Sequence, residues 1–458
     1  MSIPNITNIV IYVFGIIASM LFFAFGITSI HEHEKRATII SFLLTIFSLG
    51  GFHLITLLHP WIKFAILLLM LLTALVVGIS LILPEQIRHA AVVKPSKRFD
   101  ERDIMFARAR LELGSSNFNA YYDMKPENLA ADELTRTKPG LFSNQSLFAN
   151  PPLFAAADAS FFLTENLSDA VDGPINPIRQ TFTTNCITEF IKELTLYYGA
   201  LSVGIAKLQP YHVYSNIGRG SGEYGAPLEV EHEFAIAFTV EMDHGIVGTY
   251  PLPQGSMETA KQYVEAARTA VQLAAFIRNI GYPARAHIDG NYRVIAPLVA
   301  RDANLGEIGR MGLLMTPKQG PRVRIGVVTT NLELNPDEYL PDQSLIDFCN
   351  LCKKCAENCP SNSIMYDRKT LIDGVKRWQI NSDTCFRYWN VAGTDCGVCV
   401  RTCPYSHPDN IFHNAIRLAI RKGKIYRILI YQIDKLFYGK HPSKRPAPEW
   451  MNTFLKDK

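Results

Sequence analysis

The sequence predicts three membrane-crossing helices, then a layered α/β domain, then a small domain built on cysteine ligands. Three observations predict this. Uncharged apolar runs fill most of residues 9–83, helix-type and strand-type patterns alternate from 183 to 334, and eight of the nine cysteines fall between Cys349 and Cys403. With 458 residues the chain has room for two or three cores. Its net charge is only +4, with Lys and Arg dispersed among Asp and Glu. No basic patch of the kind that holds nucleic acid is present, so no nucleic-acid partner is expected.

The apolar runs are Ile9 to Ile27, Ala37 to Leu58 and Phe64 to Leu83. Each matches the length that crosses about 30 Å of hydrocarbon at about 1.5 Å per residue. Helices are expected at about 9–28, 37–58 and 62–83, within an anchor spanning 1–86. A signal peptide fits poorly, because residues 1–30 hold no basic start, no small-residue cleavage site and no twin arginine. Lys and Arg near the span ends set the orientation. None precedes the first run. Lys35 and Arg36 lie in the first loop, Lys63 in the second, and Arg88, Lys94, Lys97 and Arg98 follow the third. The N-terminus is therefore expected outside and everything after residue 84 in the cytoplasm. That makes a multi-pass protein of the cytoplasmic (inner) membrane, with the lipid bilayer as a partner. Of His31, His33, His53 and His59 only His53 lies within a span, which does not make a bis-histidine haem site.

Residues 84–160 are polar and irregular, and are expected to wrap the domain that follows. The run T-N-C-I-T-E-F-I-K-E-L-T-L-Y-Y-G-A reads as a helix closed by Gly199, with Cys186 as a core thiol. L-S-V-G-I-A-K-L and His232 to Met242 read as strands, and Ser256 to Ile280 as a long helix ended by Gly281. Residues 322–334 read as a strand with Arg322 and Arg324 on one face. This alternation argues for layers of helix and sheet. Gly220, Gly222 and Gly225 match a G-x-G-x-x-G spacing. A strand rather than a helix follows, so they read as a turn and not as a dinucleotide site.

Cys349, Cys352, Cys355 and Cys359 are followed by Pro360, and Cys385, Cys396, Cys399 and Cys403 by Pro404. Disulfide frameworks spread their cysteines through a fold, whereas ligand sets cluster. Zinc sites usually come as separated pairs with His, which neither run resembles. The C-x2-C-x2-C-x3-C-P run is the iron–sulfur pattern, in which the fourth cysteine of each run serves the other cluster. That rule puts Cys349, Cys352, Cys355 and Cys403 on one [4Fe–4S] cluster, and Cys359, Cys385, Cys396 and Cys399 on a second. The ten residues between Cys385 and Cys396 exceed the usual spacing and read as an insertion. Two such clusters form a wire, and the preceding domain should hold the electron acceptor.

Five motifs carry a family resemblance. They are F-I-R-N-I-G-Y (276–282), L-G-E-I-G-R-M-G-L-L-M-T-P (305–317), G-P-R-V-R (320–324), C-K-K-C-A-E-N-C-P (352–360) and D-C-G-V-C-V-R-T-C-P-Y-S-H-P (395–408). Together they resemble the corrinoid-dependent reductive dehalogenases from about residue 98 onward, including Y-G-K and A-P-E-W near the end. The resemblance implies an α/β (α+β) nitroreductase-like, corrinoid-binding catalytic domain at 95–335. It implies a ferredoxin-like domain with two [4Fe–4S] clusters at 340–410, and a helical tail at 411–458 packing on the catalytic domain. It also implies a base-off cobamide and reductive removal of halide from an organohalide. No D-x-H-x-x-G motif is present, in keeping with a cobalt that lacks a protein ligand.

By motif, the proton-donating tyrosine corresponds to Tyr263 and its neighbouring arginine to Arg324. The third polar residue of the pocket corresponds to Asn291, with His287 as the rival. Arg324 is expected to lower the phenol's pKa and stabilise the phenolate. Tyr263 has a plainer reading, as the first member of an apolar stripe with Ala267, Ala270, Ala274 and Ile277. Many members of the family have a twin-arginine leader and a separate three-span anchor protein; here three spans precede the catalytic part on one chain. The electron donor would be a quinol, a ferredoxin or a flavodoxin. Other readings are a membrane-bound iron–sulfur electron-transfer protein, an epoxyqueuosine reductase-like enzyme, and another corrinoid-dependent reduction on the same fold.

Overall fold

A computed structural model describes residues 3–82, 94–95, 97–372 and 374–451. The expected boundary near residue 86, Arg88 of the charge count and residues 452–458 of the tail lie outside the described residues. The chain divides into two compact units. The three N-terminal helices group with Asp409–Pro446, and the residues up to Pro408 group with those from Ala447 on.

In the first unit, α1 (Ile3–His31), α2 (Lys35–Thr56) and α3 (Pro60–Ile82) replace the expected runs with slightly different ends. All three are long and apolar enough to cross a membrane. Small residues let α1 and α2 pack antiparallel: Gly15 lies against Phe52, and Gly26 against Phe42 and Ser41. His53 is held by Tyr12, Oη to Nδ1 2.8 Å. Lys63 is buried and donates to Asn8 Oδ1 and Thr56 O, both at 3.1 Å.

The second unit opens with four helices in the segment expected to be irregular: α4 (Met105–Ala109), α5 (Ser116–Met124), α6 (Leu129–Arg136) and α7 (Pro151–Asn166). The first three are five to nine residues long, too short for a periodic pattern to stand out, but each has a partner. The side chains of Asp100, Ser115 and Asn150 cap turns in this stretch, and α7 packs along the long helix α10.

Next come α8 (Thr184–Tyr197), β1 (Ser202–Lys207), β2 (Phe234–Glu241), α9 (His244–Val247), α10 (Pro253–Asn279), β3 (Ala284–His287), α11 (Ala296–Asp302), β4 (Glu307–Ile308), β5 (Leu314–Met315) and β6 (Val323–Thr330). The main sheet has the order β1-β2-β6-β3, and every neighbouring pair is antiparallel. Helix–strand alternation therefore yields an α+β sheet. Side chains alternate across it. Ile236, Phe238 and Val328 face α8 and α10, while Ala235, Ala237 and Val327 face α11. Gly326 is required by this packing, since a Cβ there would lie 2.2 Å from the Phe238 ring. Cys186 is exposed rather than a core thiol, because Ile187 and Ile191 take the inward face of α8.

The cysteine-rich part holds α12 (Gln343–Cys352), α13 (Lys354–Glu357), β7 (Thr370–Ile372), β8 (Val375–Arg377), α14 (Ser382–Ala392) and α15 (Val398–Arg401). The long spacing after Cys385 is α14 itself. Its Phe386 and Trp389 pack on Phe106 at 5.1 and 5.7 Å, and Arg387 donates to Ala131 O at 3.3 Å.

The tail differs from expectation. Helices α16 (Ile411–Arg421) and α17 (Lys424–Tyr438) group with the apolar helices, whereas the described residues from Ala447 on group with the second unit. Phe25 of α1 contacts Phe412 and Phe437, each at 5.3 Å, and Glu32 accepts from His413 at 3.0 Å and Asn410 at 2.8 Å.

Candidate active site and cluster-binding domain

One face of α10 presents Ser256, Thr259 and Tyr263, spaced three and four residues apart as a helix face requires. Opposite it, β6 brings Arg324. The Arg324 guanidinium lies 4.8 Å from the centre of the Tyr263 ring and donates to Thr259 Oγ1 at 2.8 Å. Phe161 of α7 flanks the same ring at 6.0 Å. Ala267, Ala270, Ala274 and Ile277 are buried, whereas Tyr263 is partly exposed at the end of that stripe. The tyrosine thus leaves the core that its helix face builds.

Asp395 ties this face to the cysteine loop, and sequence reasoning missed it. Its carboxylate accepts from Ser256 Oγ at 2.7 Å, Thr259 Oγ1 at 2.6 Å and Tyr250 Oη at 3.0 Å, with Arg324 at 3.5 Å. The next residue, Cys396, has φ of 60°, and Gly397 packs so closely on the Tyr250 ring that a Cβ would lie 2.3 Å away. Asp395 opens the motif at 395–408 and stands one position before Cys396, which is the sequence signal that could have found it.

Burial raises the Tyr263 phenol above its usual value, and Arg324 opposes that rise without reversing it. The expected net lowering is therefore not found: desolvation of the phenolate outweighs one cation. Burial lowers the Arg324 pKa, but Tyr263, Tyr250 and Asp395 together raise it further, so the guanidinium stays charged.

Asn291 is fully buried. Its Oδ1 accepts from Arg285 at 2.8 Å, and its Nδ2 has no hydrogen-bond partner. Arg285 Nε and Arg324 Nε are likewise buried donors without acceptors. His287 is spent within the fold: Nε2 meets Thr329 Oγ1 at 3.0 Å, and Nδ1 accepts from Arg293 N at 3.1 Å. Arg322, expected on the same strand face as Arg324, makes different contacts. Arg322 is buried and donates to Ser406 O at 3.0 Å and Glu241 at 2.7 Å.

The cysteines fall into two groups. Cys349, Cys352, Cys355 and Cys403 line one cavity with Met311, Met315, Phe348 and Tyr405. Burial and the three sister thiols push Cys403 far above its usual value. Burial, then Cys385 and Cys359, push Cys399 up to about 12, and burial with Cys359 pushes Cys385 up to about 11. Cys396 feels Cys399 and Cys385, which completes the second group. Cys355 also feels Cys399, so the groups adjoin. Thiols this crowded and buried ionise only beside a cationic centre, which suits iron–sulfur clusters.

Arg310, a second residue that sequence reasoning missed, is buried beside the first group. It donates to Cys349 O at 3.1 Å and to the carbonyls of Met365, Tyr366 and Asp367 at 2.7–2.9 Å, and it stacks on Trp378 at 4.7 Å. Removing it would unpin both the cysteine turn and the loop after it.

These features define the class: a dicluster ferredoxin-type domain beside an antiparallel nitroreductase-like layer. The family described as the 4Fe-4S dicluster domain matches residues 348–407. The tetrachloroethene reductive dehalogenase of Sulfurospirillum multivorans is 30% identical over 288 residues, covering 55% of this chain and 57% of that protein. Its counterpart from Desulfitobacterium hafniense is 35% identical over 196 residues, 40% of this chain and 35% of that protein. A solved catabolic reductive dehalogenase superposes with a TM-score of 0.61 at 25% identity, covering 78% of this chain and 49% of that one. The chain is thus similar to reductive dehalogenases in sequence and in fold over part of their length. It spans about a third to somewhat over half of the length of these curated relatives.

Proposed function

We propose that the protein is a membrane-anchored reductive dehalogenase that replaces halogen by hydrogen in an organohalide. Two [4Fe–4S] clusters would feed electrons to a cobamide bound in the α+β domain. The observation that carries the reading is the Tyr263–Arg324–Asp395 arrangement, which joins an acid to the loop of a cluster ligand. An electron-transfer protein without an active site has no need of it.

When bound, the cobamide supplies a strongly reducing cobalt for breaking the carbon–halogen bond. The chain's own residues do the rest. Tyr263 holds its proton at Oη up to high pH and delivers it to the carbon that loses halide. Arg324 keeps the phenol oriented and stabilises the phenolate left behind. Asn291 Nδ2 and Arg285 Nε offer donors to an acceptor-rich ligand, and Asn291 is preferred to His287 as the third pocket residue because it alone has a donor to spare. Two buried histidines of this domain, His212 and His287, have both ring nitrogens engaged, which suits a cobalt without a protein ligand. Cys349, Cys352, Cys355 and Cys403 would hold one cluster, and Cys359, Cys385, Cys396 and Cys399 the other.

Helices α1–α3 would span the cytoplasmic membrane with the catalytic part in the cytoplasm. Beyond Lys35 and Arg36, this orientation gains support from the basic residues of α16 and α17, which meet the same helix ends. The donor would be a quinol, a ferredoxin or a flavodoxin.

The test is anaerobic purification in detergent with cobamide supplied, followed by cobalt and iron analysis and an organohalide panel that includes tetrachloroethene. About one cobalt and about eight irons per chain, with halide release, is the expected result. About eight irons without cobalt would leave an electron-transfer protein and overturn the proposal.

A further inference from the structure

The hairpin of α16 and α17 meets the three apolar helices at one set of ends only. Phe412 and His413 reach Phe25 and Glu32 near the end of α1. Leu436 O accepts from Arg36 at the start of α2 at 2.9 Å, and Tyr426 Oη meets Ser80 near the end of α3. Arg445 pairs with Glu34 at 2.6 Å in the loop between α1 and α2. From Tyr426 to Leu436 the helix advances about 15 Å. Thus α17 runs across these ends rather than extending any of them.

Its surface is divided. Ile425, Leu429 and Leu436 are 81%, 52% and 49% exposed, and at about 100° per residue they share one face. Lys424, Arg427 and Lys435 fall on a separate face, and Phe437 and Ile430 are buried between the two. On α16, Ile411 and Leu418 are 79% and 49% exposed, and Arg421 and Lys424 are exposed at the bend. An apolar row of this size is costly in water, whereas a helix with an apolar face and a basic face is the form that lies in a membrane interface.

We propose that α16 and α17 form an in-plane hairpin seated in the headgroup layer of an anionic leaflet. The exposed apolar row would reach the acyl chains, and the basic residues would meet lipid phosphates. Position and charge select lipid over a protein partner. The row lies on a helix held at the ends of α1–α3, whose own apolar side chains are widely exposed, and the charge beside it is complementary to anionic lipid. The proposal rests on reading α1–α3 as spans.

The test uses the full chain in nanodiscs of phosphatidylcholine, with or without phosphatidylglycerol, carrying brominated acyl chains. Leu429→Trp, read as a difference from wild type, should be quenched, and Lys424→Trp should not. Arg421→Gln with Lys424→Gln should abolish the excess quenching of Leu429→Trp by brominated phosphatidylglycerol over brominated phosphatidylcholine. An unquenched Leu429→Trp in a chain that resists alkaline extraction overturns the in-plane hairpin alone. Release of the wild-type chain by alkaline carbonate overturns the span reading itself. Quenching that ignores the charge change overturns the anionic preference. A lipid-borne diazirine applied to the unaltered chain should label residues within 411–438, and its failure to do so would overturn the hairpin without any substitution.

Discussion

Removing one oxygen from Tyr263 isolates its proposed chemistry. In Tyr263→Phe the ring keeps its packing against Phe161 at 6.0 Å and its place under Arg324 at 4.8 Å. The fold, the clusters and cobamide binding should therefore persist. Delivery of a proton by a positioned acid is worth about 10²–10⁴-fold, or about 3–5 kcal/mol of barrier. The loss should appear in kcat for the organohalide that wild type turns over, measured as halide release in a chain loaded with cobalt and iron. The pH profile adds a second readout. Burial raises the Tyr263 pKa, so the acid form persists as pH rises. Tyr263 should impose no alkaline limb below about pH 10. Wild-type turnover in the variant would refute the proton-donor role. So would an alkaline limb near neutral pH that the substitution abolishes.

Cys403→Ser should cost the first cluster although Cys403 lies in the second cysteine run; iron should fall by about half, and the second cluster's electron paramagnetic resonance signal should survive. If Cys403→Ser removes the cluster of Cys385, Cys396 and Cys399 instead, the crossed assignment is wrong. Asp395→Asn keeps the size but weakens the links to Ser256, Thr259, Tyr250 and Arg324, so kcat should drop about tenfold or more while iron content holds, because misplacement of a catalytic neighbour is costly. An unchanged kcat would reduce Asp395 to a fold residue. Asp302 is held by His212 at 2.9 Å, Arg301 at 2.7 Å and Tyr211 at 2.5 Å, and although its burial pushes the other way these partners depress its pKa. Its stabilisation is therefore complete above the unfolded value near pH 4 and is lost as pH falls through the lower folded value. Asp302→Asn should cost about 3 kcal/mol at pH 7 in denaturant unfolding followed by the second unit's signal, and the gap to wild type should shrink in acid; a constant gap would contradict the ionic account.

The sequence by itself determined the local features. Three uncharged apolar runs, each long enough to cross a bilayer, announce α1–α3. Two cysteine runs announce clusters, because close spacing wraps thiolates around one centre. Alternation identifies β1, β2 and β6, and the turn at Gly199 follows its helix. Tertiary structure decided what depends on distant partners. The sheet is antiparallel because β6 inserts between β2 and β3, a pairing no local pattern encodes. Cys403 lines a cavity with three cysteines of the other run, and Asp395 and Arg310 matter through contacts made across roughly 70 and 40 residues of chain. Helices α4–α6 are only five to nine residues long and α7 holds little apolar periodicity, so they form where capping and neighbouring helices support them. The tail went to the apolar helices because Glu32, Glu34 and Arg36 at their ends find partners in His413, Arg445 and Leu436 O. An amphipathic helix declares that it will bury one face; only the fold says against what.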